Sequence, residues 1–193
     1  MKRALAGEDA PRTAQAWVAL NAVDPQVASA LTVARSALAA GRGLAELRRW
    51  RLFELRGPLP DRARLEEMLH RSIRFYNPNK ERCIVRGADE PAPLAGAERA
   101  VLVVDRGGAR RTAAERWWLH ETGERIEVRE AVVWALRFKP GIDAAAGAAE
   151  LTILRGMDSG LFCNLQAQDH RQSGADVPLP WIARGRRTGG RRA

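Results

Sequence analysis

Residues 125–138 read RIEVREAVVWALRF, and the alternation within them decides the fold class. Ile126, Val128, Val132, Trp134, Leu136 and Phe138 fall on one side of an extended chain. Arg125, Glu127, Arg129 and Arg137 fall on the other. Side chains alternate faces along a strand, so this pattern is a strand with one buried face. Glu130 interrupts the apolar side. A carboxylate there is costly unless paired, so the reading is a bulge that turns it outward, or neutralisation by Arg106 or Arg137. A general acid or base is the other role open to it.

Upstream, Thr112–Glu115 has a capping-box pattern for a helix over 113–121, closed by Gly123. RAVLVVD (99–105) is continuously apolar, as a strand covered on both faces is. ERCIVR (81–86) is a short strand. Asp61 caps a helix whose buried face is Leu65, Met68, Leu69, Ser72 and Ile73, and WRLFELR (50–56) precedes it as a strand. The order from 50 to 138 is therefore strand, helix, strand, strand, helix, strand. That order predicts an α+β protein with a ferredoxin-like (βαββαβ) core.

On the N-terminal side, Ala14, Trp17 and Val18 have helical spacing, predicting a helix over 10–21. Asp24-Pro25 starts a second helix, with Gly41 as its left-handed stop and further turns to about 49. Residues 1–49 thus form a helical hairpin beside a core domain of 50–171. On the C-terminal side, ELTILR (150–155) predicts an extra strand and 160–168 a short helix. Residues 172–193 form a basic, disordered tail. No internal repeat is visible.

The chain has 193 residues, with 32 basic against 23 acidic, a net charge of +9. Residues 177–193, VPLPWIARGRRTGGRRA, hold five arginines and no acid, so about half of the excess charge sits there. No stretch approaches the roughly 18 apolar residues of a membrane span, and the first residues lack a secretory pattern. The expectation is a soluble, cytoplasmic protein without a membrane partner. Two cysteines exclude a disulfide scaffold. His70, Cys83, His120, Cys163 and His170 show no metal-ligand spacing, so neither a metal nor a cofactor is expected.

Two candidate sites follow from charge. In the first, Arg106, Gly107, Gly108, Arg110, Arg111 and Thr112 meet at a helix start, where N–H groups and the helix dipole attract anions such as phosphate. In the second, Arg184, Arg186, Arg187, Arg191 and Arg192 form a phosphate-contacting arm, with Trp181 placed to stack on a base. The helices at 13–38 carry only Arg35 as a cation on the would-be recognition helix, so RNA is favoured over DNA. The expected function is a non-enzymatic accessory or adaptor protein that associates with RNA through arginine–phosphate contacts. Its alternatives are an enzyme or enzyme subunit with a phosphorylated ligand at 106–112, or an assembly subunit. In the last case the protein partner would dock on the N-terminal helices or on Trp117 and Trp118.

Overall fold

The computed structural model describes residues 12–94, 99–155 and 160–182. They form one antiparallel sheet of six strands with four α-helices, an α+β architecture. In chain order the elements are β1 (Arg12–Leu20), α1 (Pro25–Ala37), β2 (Leu44–Gly57), α2 (Arg62–His70), β3 (Glu81–Arg86), β4 (Arg99–Asp105), α3 (Thr112–Thr122), β5 (Glu127–Phe138), α4 (Ala144–Thr152) and β6 (Gln168–Ser173). The sheet order is β3-β1-β2-β5-β4-β6. Among the described residues, no helix is long and apolar enough to cross a membrane.

That order differs from a ferredoxin-like sheet. A split βαβ unit needs the strand at 99–105 between those at 50–56 and 81–86. β1 occupies that slot instead, pairing Ala16 with Phe53 on one side and Val85 on the other. The expected helix over 10–21 is this strand. Ala14, Ala16 and Val18 point into one core and Trp17 into another, so both faces are buried and the period is two. The spacing of Ala14, Trp17 and Val18 mimics a helix only because both faces are apolar.

The expected turns at 44–49 likewise belong to a strand, β2. Gly41 is not a left-handed stop. A Cβ there would lie 2.0 Å from the Ala34 carbonyl oxygen, so glycine permits the chain to return tightly against α1. ELTILR ends a helix rather than making a strand: Asp143 accepts from Ala145 and Ala146 N–H and starts α4. The final strand is Gln168–Ser173, where the short helix was expected to end. Three helix-end signals hold. Asp24 and Asp61 cap α1 and α2, and Gly123 closes α3 at φ 76°. Ile73 is exposed, because α2 stops at His70 and leaves it outside the helix face.

The connectivity is two-fold repetitive. Each half runs β-α-β-α-β, with its first strand between its second and third, and β2 joins β5 at the centre. α1 and α3 start at 25 and 112, and β3 and β6 at 81 and 168, in each case 87 residues apart. A pseudo-two-fold through the Arg51·Val132 pair exchanges Phe53 with Trp134 and Arg49 with Glu130. The aromatic pairs follow: Phe53 meets Phe75 at 5.6 Å, and Trp134 meets Phe162 at 4.9 Å.

All four helices cover one face, over two cores. α2 and α3 close the first, around Leu69, Phe53 and Trp118. α1 and α4 close the second, around Leu151, Trp134 and Val103. Each core therefore takes one helix from each half, which ties the halves together. A fully buried leucine or phenylalanine contributes about 1.5–3 kcal/mol. The other face carries Trp17, Trp50, Leu52, Leu102 and Val133. It is covered by Leu94 and by the segment Val177, Trp181 and Ile182.

Candidate functional site

The helix-free face holds a buried polar network that fastens the C-terminal segment. Glu54 is 5% exposed and accepts from the backbone N–H groups of Trp181 at 2.8 Å and Ile182 at 3.1 Å. Gln15, fully buried on β1, donates to Glu54 at 3.2 Å and to the Pro178 carbonyl at 3.3 Å. Its own oxygen accepts from the Trp17 indole at 3.3 Å. Arg86 on β3 donates to the Val177 carbonyl at 2.7 Å. Burial lowers the pKa of this guanidinium, against the pull of Glu90. Successive residues of the segment are thus held by β3, β1 and β2. Arg171 on β6 adds a bond to the Trp181 carbonyl.

A buried carboxylate is tolerated when its oxygens accept charge-assisted bonds. Here Glu54 Oε2 accepts two bonds from the segment and one from Gln15. Residues 174–182 are accordingly ordered on the sheet, where a disordered tail was expected from 172. Trp181 is 2% exposed, packed in the core with Trp17 and Trp50. Its ring has no free face for a base, and it anchors the segment instead. Arg184, Arg186, Arg187, Arg191 and Arg192 lie outside the described residues. Sequence reasoning missed Glu54, although it is a carboxylate of the same parity as Trp50 and Leu52, the signal that singled out Glu130. Gln15 and Arg86 carried no comparable mark.

The loop at 106–112 is built differently from the expectation. Its arginines are all engaged: Arg106 with Asp169 at 2.9 Å, Arg110 with Glu115 at 2.8 Å, and Arg111 with Glu130. Burial alone would raise the Glu115 carboxyl. Arg110, the Val128 N–H and Arg129 outweigh burial and hold it below its ordinary value. Gly107 and Gly108 are exposed, and Thr112 opens α3 without a side-chain cap. An anion at this helix start competes with three carboxylates. Glu115 spends its oxygens on Arg110 and Val128 rather than on a capping box.

Glu130 stays on the helix-covered side. Arg51 at 3.5 Å and Arg111 neutralise it, in place of Arg106 or Arg137, and Arg51 also reaches Glu81 at 2.9 Å. Arg137 pairs with Glu46. Trp118 is fully buried and Trp117 partly so, against Phe75, so this pair does not form an exposed patch. His70 bonds Tyr76 at 2.9 Å, and His120 is largely exposed. Among the described residues, no group of three or more His, Cys, Asp or Glu side chains is placed to hold a metal ion. Burial pushes the Cys83 thiol up to about 12.

No family model matches this chain, and neither the curated proteins nor the solved structures compared with it yield a match.

Proposed function

We propose that this protein is a non-enzymatic accessory protein that contacts RNA phosphates through the arginines of residues 183–193. The observation that carries the reading is the Glu54 anchor. A buried carboxylate fixes the backbone of Trp181 and Ile182 to the sheet, directly ahead of a run of five arginines with no acid. Such a run adds counterion-release binding that needs no folded pocket. Anchoring its root fixes the point on the body from which it leaves.

The phosphorylated-ligand reading is weaker, because each loop arginine already has a carboxylate. The test compares the full chain with residues 1–182 in binding a mixed-sequence single-stranded RNA. The proposal expects the shorter chain to lose most of the affinity at moderate salt while melting at the same temperature. Equal affinity of the two overturns it.

A further inference from the structure

The two halves of the fold differ at one helix position in the size of the side chain that faces the aromatic pair. In the second half, Trp117 is the sixth residue after the cap residue of α3, and it packs on Phe75 with ring centroids 5.9 Å apart. In the first half, the sixth residue after the cap of α1 is Ala30, and the counterpart of Phe75 is Phe162. The same fold position thus carries an indole in one half and a methyl group in the other.

The consequence is an open groove of about 430 Å³ between α1 and the stacked Trp134–Phe162 pair. Its floor is Ala30, Trp134 and Phe162. Its rim is Val33, 44% exposed, with Leu161, Gln26 and Ser29. None of these residues is charged. In the other half, Trp117 meets Phe75 at an interplanar angle of 75°, and its neighbour Trp118 fills the position of Leu31. The other half therefore shows an indole seated at the equivalent helix position against its own aromatic pair, Phe75 and Phe53.

We propose that the groove beside Ala30 is a docking site for an aromatic side chain, an indole by shape, presented by a partner protein. Aromatic anchors in apolar pockets dominate protein interfaces, because one rigid ring buries a large area at low entropic cost. Trp134 and Phe162, stacked on each other at 4.9 Å, line the groove, and the Trp117–Phe75 pair of the other half shows the edge-to-face contact that an indole makes at the equivalent place. This surface goes beyond the RNA-contacting arm: it is on the helix-covered side of the sheet, whereas residues 177–182 run over the opposite one.

The test titrates the full chain with N-acetyl-tryptophanamide while methyl resonances of Val33 and Leu161 are followed by NMR, with N-acetyl-leucinamide as the comparison probe. The proposal expects saturable shifts of both methyl groups with the indole probe, at least fivefold weaker binding of the leucine probe, and no response of exposed Val23 and Ile73. Ala30→Trp is expected to fill the groove from within, abolish the shifts and raise the melting temperature. Val33→Glu, on the rim, keeps the test available should Ala30→Trp fail to fold, and is expected to weaken binding at least tenfold. Absence of saturable shifts, equal binding of the two probes, or unchanged binding in a folded variant overturns the proposal.

Discussion

Asp24 and Arg111 hold the same place in the two halves and carry opposite charges. Each stands immediately before the first helix of its half, and each reaches the same strand position. Asp24 pairs with Arg49 at 3.5 Å, and Arg111 pairs with Glu130, the residue exchanged with Arg49 by the pseudo-two-fold. The repeat has kept a helix-cap-to-strand ion pair while reversing its polarity. This explains why a carboxylate stands in the apolar face of β5: it replaces an arginine of β2.

The reversed pair has a measurable coupling. A double-mutant cycle of Arg111→Ala and Glu130→Ala in urea denaturation is expected to give about 0.5–1 kcal/mol, decreasing as salt rises, since Arg111 is half exposed. Glu130→Ala alone is expected to cost more than Arg111→Ala, because it also removes a partner of Arg51. A coupling of zero would assign the pair no part in stability.

Leu69 and Leu151 are fully buried, one in each core. Leu69→Ala and Leu151→Ala are each expected to lower stability by about 2–5 kcal/mol. Because each core joins helices from both halves, the two variants should unfold in a single transition, seen by coincident circular dichroism and fluorescence curves. Two separated transitions would show that the halves are independent.

The fold was legible wherever a local signal agreed with tertiary context. Asp24-Pro25, Asp61 and Gly123 marked helix ends through capping chemistry, which depends on near neighbours alone. The alternation at 125–138 marked β5 for the same reason. β1 was hidden because Ala14, Trp17 and Val18 are buried on opposite faces, and only the neighbouring strands reveal a period of two. β6, QDHRQS, has no apolar face at all and exists because it pairs with β4. The repeat was hidden because equivalent positions hold different residues, as Phe53 and Trp134, Arg49 and Glu130, and Ala30 and Trp117 show. At the candidate site, the arginines were legible by composition. The Glu54 anchor was not, since its acceptors are filled by backbone N–H groups more than a hundred residues away.

Gly41 and Gly107 are expected to answer substitution differently. A Cβ at Gly41 meets the Ala34 backbone, whereas one at Gly107 meets nothing within 4 Å. Gly41→Ala is expected to cost about 1–3 kcal/mol, as overpacking does, and Gly107→Ala to change stability by less than about 0.5 kcal/mol. Thermal melts of the two variants check this.

Cys83 is expected to resist alkylation. With its thiol pushed up to about 12 by burial, the thiolate is scarce at pH 8, and iodoacetamide should modify it far more slowly than an unfolded-chain cysteine. The folded state keeps this proton where the unfolded chain, with a pKa near 9, has lost it. Its contribution to stability is therefore complete below pH 9 and is lost as pH rises from 9 towards 12. Rapid labelling of Cys83 at pH 8 under native conditions would contradict the raised thiol.

Glu54→Ala removes the acceptor of two backbone N–H groups and is expected to cost about 2–3 kcal/mol. Limited proteolysis is expected to cleave near residues 177–182 in this variant and to spare that segment in the wild type. Cleavage at the same rate in both would show that other contacts hold the segment.

The central claim is that residues 183–193 contact phosphate from an anchored root. Its most direct measurement is the slope of log K against log salt for mixed-sequence single-stranded RNA, taken for the full chain and for residues 1–182. Each phosphate contact to a single strand contributes about 0.7 to that slope. Five arginines contribute up to about 3.5 by the same relation. The account predicts that removing 183–193 flattens the slope by up to this amount and leaves the melting temperature unchanged. An RNA affinity whose slope is the same in both proteins would contradict it.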